Sequence, residues 1–520
     1  MHLVLLHGYL LQGTGSNIYV ANIAKAWQNQ GHGVSVVCQD RKAGELPFVQ
    51  EFIGPHDKLP DDPPKPGTIR VVVPDISNLL PVYVFDRYDG FDVKIIPEMT
   101  PEEIQTHIEM TASTLRDVAC QGADRILANH AIFGPVIAKR ALQNLEVPFD
   151  VKIHGSAVEY TLVPNPHLMD YAFEGLKAAK RVFVGTKYVR DRVLEVFGNG
   201  HPTGKLANQL TIVPPGMDPA LFKLSQDPQE SQQQFMEKVR QRLQQNDKGR
   251  HYQKMPEFKS RPGSDLHHSL VKLGETYDQR ATDMDLPEKW QPLEDDEPVI
   301  MYFGKFLAAK GVGELLVAIP KVLAIIPRAR FILVGFGSYR EHMEAMIQAL
   351  GQGDLEAFIA FARAGEFVDD IEFKKWFRIL GPQERKRIVI TGILDHETLS
   401  ELLPLASLVV VPSKLPEAFG MVAVEAMASG VLPLCNYHAG LRDVVDEVAV
   451  ASPELADLIK LERDKFIDQL PEKIRQALDF LYPLGYLNQT MRRKIGKQLR
   501  LISVEKFSWD GIAKRLLHSD

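Results

Sequence analysis

Cysteine is scarce: 520 residues hold three, Cys38, Cys120 and Cys435. All three have apolar neighbours and none forms a C-x-x-C pair, which excludes a disulfide framework or a zinc ribbon and reads as reduced core thiols in a cytosolic setting. Long hydrophobic runs are missing as well. A membrane span needs about 18 or more consecutive apolar residues, and no stretch comes near it. The opening MHLVLLHGYLL is strand-sized and lacks a basic n-region and a small-residue cleavage site. These absences predict a soluble, cytoplasmic protein. Strong charge of one sign is absent: 60 basic against 67 acidic residues leave a net charge of −7 and a pI near 6.2. There is no general attraction for nucleic acid, and only local basic clusters are left to meet an anionic lipid surface. Metal-ligand spacings are lacking too. His267 and His268 are adjacent without a further ligand at a suitable spacing, and no Asp-x-Asp occurs in a plausible metal-site context, so no metal centre is expected.

Apolar material is ample. At 45% hydrophobic and 24% charged content, the chain suffices for two cores and is too long for one ordinary domain. Leu3–Leu6 reads as a buried first strand. Gly13 and Gly15 open a loop, Ser16 or Asn17 can cap, helical spacing runs from Ile18 to Gln28, Gly31 ends it, and Val34–Cys38 makes the next strand. This βαβ unit puts its glycines at the turn that meets phosphate in nucleotide-binding folds, a ligand-free tight turn being the alternative. A dinucleotide fingerprint would need glycine at position 18, which is Ile18, and GFGSYR near residue 335 also lacks the third glycine. Both departures weaken an NAD reading.

Residues 41–68, with DDPPKPG, read as a loop or lid. Strands are expected near Arg70–Val73 and Val93–Ile96, and a helix from Pro101 to Gln121 behind Thr100, with Glu103 at capping-box spacing. RILANHAIFG and FDVKIHGSAVEY are short strands that end in His130 and His154, although one such histidine is usually structural. Residues 181–197 give a strand, a Thr186 cap and a helix. Lys177, Lys180, Arg181, Lys187, Arg190 and Arg192 form either a membrane-facing patch or an ordinary solvated face. Residues 225–297 are polar and Gln-rich, with one amphipathic helix near Gln229–Gln245, and have too little apolar content for a core of their own; they read as an inserted linker, lid or oligomer contact. Val299–Phe303 opens a second alternating half, in which Lys305 and Lys310 flank the loop into a helix at Gly311. Two lysines at a helix amino terminus make an anion site by charge and by dipole. A helical insertion covers 351–380, and TGIL at 391–394 ends a strand. Two alternating halves with ligand-bearing strand ends argue two doubly wound domains.

The most informative stretch runs from Ser407 to Gly440, strand, loop, helix and strand. Glu425 lies about one turn inside that helix, among Val422, Ala423, Val424, Ala426, Met427 and Ala428. An unpaired carboxylate there costs on the order of a few kcal/mol. Either a distant Arg or Lys pairs with it, or its oxygens accept from the two hydroxyls of a ribose. Glu417 stands in the preceding loop, giving an E-x7-E spacing.

With the surrounding PSKLPEAFG-x4-EAMASG, this pair resembles the retaining glycosyltransferases of the two-Rossmann-domain (GT-B) type, in glycosyltransferase family 4 (group 1). The resemblance covers nearly the whole chain apart from the insertions 41–68, 225–297 and 351–380. It implies an α/β fold of two Rossmann-like doubly wound domains facing across a cleft: an acceptor domain over 1–224, the insert 225–297, a nucleotide-sugar domain over 298–500, and a C-terminal helix, 501–520, crossing back to the first domain. TIVPPGMDPALF at 211–222 is similar to the family's hinge phrase.

The activity so implied is transfer of a hexose-type sugar, with retention, from a nucleotide diphosphate sugar to an unidentified hydroxyl of a small molecule, glycan or lipid. UDP is favoured by family frequency alone, and GDP and ADP stay open. The resemblance puts the diphosphate on Lys305, Lys310 and the backbone N–H of Gly13, with Gly15 beside it. Lys305 replaces the more usual Arg and so loses bidentate contact. Gly392, Ile393 and Leu394 would lie against the nucleobase, and Glu425 would bind the ribose. Glu417 and the N–H groups of Phe419, Gly420 and Met421 would grip the transferred sugar. His154, with His130 as second candidate, would orient a sugar hydroxyl or stabilise developing charge. His154, Glu417 and Lys310 are thus the residues expected to act on the reaction, without cofactor or metal, since the lysines can stabilise the leaving diphosphate. Same-face attack, with the departing phosphate oxygen taking the acceptor proton, leaves catalysis to positioning and electrostatics. Asp75, Arg87 and Glu98 are polar candidates for acceptor contacts. The alternatives are a retaining sugar phosphorylase using inorganic phosphate, an NAD(P) dehydrogenase and a non-catalytic sugar-binding relative.

Overall fold

Uninterrupted apolar runs such as LVLL, VSVV and LVVV leave no polar face for water, which suits strands covered on both sides, as in parallel α/β sheets. The computed structural model describes residues 1–518 except 14, 84–87, 89, 156, 199–203, 253–264, 295, 367–372 and 464–465. Among them these runs pair in parallel, Leu3 opposite Val34 and Val409 opposite Pro433. The chain divides into two units, Met1–Gly216 with Phe507–Asp520, and Met217–Lys506.

The first unit is built on an eight-stranded sheet. Its strands are β1 (His2–Leu6), β2 (Gly33–Val37), β3 (Glu51–Ile53), β4 (Ile69–Val72), β7 (Arg125–Asn129), β8 (Phe149–Lys152), β9 (Val182–Val184) and β10 (Leu210–Ile212), in the order β10-β9-β8-β7-β1-β2-β4-β3. β5 (Leu79–Val82) and β6 (Asp92–Ile95) form a separate two-stranded parallel sheet. Thr100 and Glu103 make the reciprocal capping box of helix Pro101–Cys120. The terminal helix Trp509–His518 belongs to this unit: Trp27 Nε1 donates to the Ala513 carbonyl at 3.2 Å, and Ile512 and Leu516 join the core around Trp27. Its last carbonyls accept from Arg181 (Leu516, 2.8 Å) and Arg125 (Leu517, 2.9 Å), cations at the negative end of a helix dipole.

Three expectations need correction here. The 41–68 stretch is not all loop, because Glu51–Ile53 adds β3 to the sheet edge beside β4. Cys120 is exposed at the end of its helix and is no core thiol. The basic cluster at 177–192 is not all surface: Arg181 is buried on Asp150 at 2.7 Å, Arg192 pairs with Glu159 and Glu195, and Arg190 pairs with Asp191, while Lys177, Lys180 and Lys187 are exposed.

The second unit has a six-stranded sheet of β11 (Val299–Lys305), β12 (Arg330–Phe336), β13 (Ile388–Gly392), β14 (Leu408–Val411), β15 (Leu432–Asn436) and β16 (Lys460–Leu461), in the order β13-β12-β11-β14-β15-β16. Much of 225–297 is laid onto this unit. Helix Pro228–Gln245 buries Phe235 against Trp290, ring centroids 4.8 Å apart, and Lys238 reaches Glu401 at 2.8 Å. Further along, Arg250 binds Glu341 through two hydrogen bonds of 2.8 and 3.1 Å, and Asp283 pairs with Arg340 and Lys289 at 2.7 and 2.6 Å. This polar segment is anchored by buried ion pairs as well as by buried apolar side chains such as Phe235, Val239 and Leu286.

Candidate functional site

In the second unit the candidate residues sit at the carboxyl ends of β11, β13 and β14. Ligands of doubly wound sheets gather at that edge, because helix amino termini point there. β11 ends at Lys305, which is exposed, and a 3-10 turn Ala308–Lys310 leads to Gly311 at φ +69 and helix Val312–Ile325. Only glycine fits at 311, since a Cβ would collide with the Pro412 carbonyl oxygen. That close approach zips the two loops together: Lys414 and Leu415 N–H both donate to the Ala309 carbonyl, at 2.9 and 3.2 Å. Lys310 Nζ is thereby set 2.6 Å from Glu417 Oε1, which also accepts from Ser413 Oγ at 2.5 Å.

The loop after β14 is held from behind by residues that sequence reasoning passed over. His438 Nε2 and Asn436 Nδ2 both bind the Ser413 carbonyl, at 2.6 and 3.0 Å, and Gly440 N–H donates to the Glu417 carbonyl at 2.9 Å. A Cβ on Gly440 would lie 2.5 Å from Phe419 Cα. All three close the Ser407–Gly440 stretch, and their place at a strand end was the available signal. Gly420 (φ +118) starts helix Met421–Ala428, with Phe419 buried and Met421 half-buried.

Glu425 is 8% exposed on that helix, and burial pushes its carboxyl from near 4.5 up to about 8. No hydrogen-bond or ion-pair partner for the carboxylate is found among the described residues, so the distant Arg or Lys considered above is not there.

Gly392 ends β13 at φ +74, with Leu394 buried. The structure brings 281–283 against this turn: Ile393 N–H donates to the Ala281 carbonyl at 3.3 Å, Thr282 Oγ1 to the Ile393 carbonyl at 2.8 Å, and Asp283 N–H to the Thr391 carbonyl at 2.9 Å. Both backbone groups of Ile393 are therefore engaged by protein, an arrangement no local pattern announces. The Asp-x-Asp at 283–285 is committed as well, with both carboxylates on Lys289. Among the described residues no three His, Cys, Asp or Glu side chains are grouped to hold a metal ion.

In the first unit, Gly13 (φ +95) lies after β1 and Gly15 begins helix Gly15–Asn29; space for a Cβ is open at both. His7, another residue not singled out from sequence, binds Asn17 Oδ1 through Nε2 at 2.9 Å, and Asn17 Nδ2 donates to the Gln12 carbonyl at 2.5 Å, which fixes this loop. His154 follows β8, half-buried, with Nε2 2.9 Å from Asn129 Oδ1. Asn129 Nδ2 donates to the Leu6 carbonyl at 3.1 Å, so its oxygen faces His154 and Nε2 must carry the proton. Desolvation first, then His130 and Lys152, hold the ring well below its usual pKa and hence neutral, leaving the Nδ1 lone pair as an acceptor. His130 is buried at φ +70 with both ring nitrogens unpartnered and lies 4.6 Å from the Tyr83 ring and 4.8 Å from that of His154. Burial pushes Lys152 down to about 7, and its Nζ donates to the Val213 carbonyl at 2.5 Å. Asp75 accepts from Ser77 N–H at 3.0 Å, Glu98 is exposed, and Arg87 lies outside the described residues.

Among curated proteins, the chain is 26% identical over 227 residues to an uncharacterised glycosyltransferase of Methanocaldococcus jannaschii, covering 44% of this chain and 45% of that protein. The chain thus spans about half the length of the curated relatives it matches. Among solved structures, sucrose-phosphate synthase of Thermosynechococcus elongatus aligns over 100% of this chain and 98% of its own, with TM-score 0.55 and 18% identity. HepE of Anabaena, in complex with UDP and glucose, aligns over 100% and 99% with TM-score 0.51 and 14% identity. Residues 297–478, which hold every second-unit candidate, match the family model of the glycosyl transferases group 1, on a chain whose α/β fold is that of the GT-B glycosyltransferases.

Proposed function

We propose that the protein is a retaining, metal-independent glycosyltransferase that moves a hexose-type sugar from a UDP-sugar to an acceptor hydroxyl. The observation that carries this reading is Glu425, a buried carboxylate inside the helix after β14 with no partner among the described residues. A vicinal diol supplies the two donors such a carboxylate accepts, and the ribose of a nucleotide carries one. Lys305 and Lys310 would take the diphosphate and stabilise it as it leaves, Glu417 would turn to hydroxyls of the sugar, and the acceptor proton would pass to a departing phosphate oxygen. In the first unit, open space above the Gly13 backbone suits a phosphate oxygen, and His154 Nδ1 can accept from a hydroxyl. HepE, of the same fold, is held with UDP and glucose, which supports a nucleotide-sugar donor. The absence of any long apolar helix among the described residues is compatible with a cytoplasmic site of action.

The test is thermal melting with UDP, GDP, ADP and inorganic phosphate, on the native chain and on Glu425→Ala. A ligand at about 100 times its dissociation constant stabilises by about 2.7 kcal/mol. The reading expects UDP to raise the melting temperature of the native chain and not of the variant. A response to phosphate alone would transfer the assignment to a sugar phosphorylase.

A further inference from the structure

At the amino-terminal ends of β11 and β14, the opposite edge of the second sheet from Lys310 and Glu425, lies a cavity of about 850 Å³. Its walls come from the segment following Lys223 and from helix Gln489–Phe507. The chain as a whole carries −7, yet Lys223, Arg492, Arg493, Lys497 and Arg500 all line this space. None of the five pairs with a carboxylate among the described residues. Arg492 is held by the carbonyls of Pro404 and Ala406 at 2.9 and 3.1 Å, and Arg500 by those of Phe222, Ala428 and Pro219 at 2.6, 2.8 and 2.9 Å. Neutral acceptors fix both guanidiniums without cancelling their charge. Lys223, Arg493 and Lys497 are exposed. Of the acidic side chains in the lining, Glu297 pairs with Arg330 and Arg387 and Glu294 with Arg328, whereas Asp227 is held by the N–H groups that open its own helix and keeps its charge, leaving the cations in excess.

We propose that this cavity binds a small phosphate-bearing ligand. Two fixed guanidiniums and three further cations match a multiply charged anion better than a single carboxylate, and Gln226, Gln229 and Gln489 add amide groups for hydroxyls. The volume falls within the roughly 300–1,000 Å³ of small-molecule sites and exceeds what a bare phosphate fills. The walls belong to the segments just after Met217 and just before Lys506, where the chain leaves and rejoins the first unit, so an occupant would cross-link them. The inference is independent of the donor assignment.

Isothermal titration with inorganic pyrophosphate and with glucose 6-phosphate tests it, using the full chain carrying Lys305→Ala and Lys310→Ala so that the donor candidates do not contribute. Saturable, salt-sensitive binding is expected, weakened about tenfold or more by adding Arg493→Glu and Lys497→Glu, the scale of one lost charge-assisted contact. Both side chains are exposed, and an unchanged melting temperature will confirm that the variant folds. A parallel arm uses phosphatidylcholine vesicles with and without phosphatidylglycerol. Vesicle binding that needs the anionic lipid and is lost in the variant, without soluble binding, would identify the phosphate as a lipid headgroup. No binding in either arm, or binding that the two substitutions leave unchanged, overturns the proposal.

Discussion

Lys310 and Glu417, 107 positions apart in sequence, meet with Nζ 2.6 Å from Oε1. The ammonium that would grip a diphosphate is thus neutralised by the carboxylate that would grip the sugar. Binding a donor would replace one anionic partner of Lys310 by another and release Glu417 for hydroxyls.

From this exchange, Lys310→Met should weaken UDP binding by about 10- to 100-fold, the value of a charge-assisted hydrogen bond. Glu417→Gln, which keeps the shape but frees Lys310, should leave UDP affinity equal or tighter while transfer slows. Titration calorimetry paired with a donor-turnover assay separates the two effects. Weaker UDP binding in Glu417→Gln would count against the exchange.

Glu425 predicts a pH dependence of stability. Between its ordinary value near 4.5 and its folded value of about 8, the folded state keeps a proton that the unfolded chain has lost. Rising pH therefore favours unfolding, and the contribution is greatest below about pH 4.5 and gone above about 8. The span is on the order of a few kcal/mol. Glu425→Gln, neutral at every pH, should remove this slope, so urea midpoints of the two proteins should lie close together near pH 5 and separate towards pH 8, with the native chain the less stable. Parallel curves would refute a buried, protonated carboxyl.

Two glycines with positive φ should respond differently to alanine. At Gly311 a Cβ meets the Pro412 carbonyl, so Gly311→Ala should cost more than about 2 kcal/mol and separate the two loops. At Gly13 the space is open, and the cost should be near 1 kcal/mol, from the backbone conformation alone. If the Gly13 backbone meets a diphosphate, Gly13→Ala should nonetheless reduce UDP affinity, which melting curves with and without UDP will show.

Arg250 and Glu341 are both almost wholly buried. Arg250→Met strands the Glu341 charge and should cost about 3–5 kcal/mol, whereas the double change Arg250→Met, Glu341→Leu should recover part of that loss. Denaturant unfolding of the single and double variants measures the difference.

The Thr100 capping box, the parallel strands and the alternation that yields two doubly wound sheets were legible in the sequence, because they depend on residues within a turn or a strand of one another. Glu425 was legible as an anomaly for the same reason, a charge inside a short apolar run. The 225–297 segment was harder. Its polarity suggested a piece standing apart, while the structure ties it down through pairs such as Arg250–Glu341 and Arg340–Asp283, whose partners are tens of residues away.

By itself the sequence determined which elements form and which side chains reach the strand ends, since periodicity, capping and turn chemistry are local. Only the tertiary structure decided which of those side chains neutralise one another. The Lys310–Glu417 pair, the Asn129 amide that sets the His154 tautomer, the 281–283 strip across Ile393 and the cations around Arg492, which pair with no carboxylate among the described residues, all arise where distant segments are packed together. Charge, desolvation and hydrogen bonding act through space, and spacing along the chain does not record them.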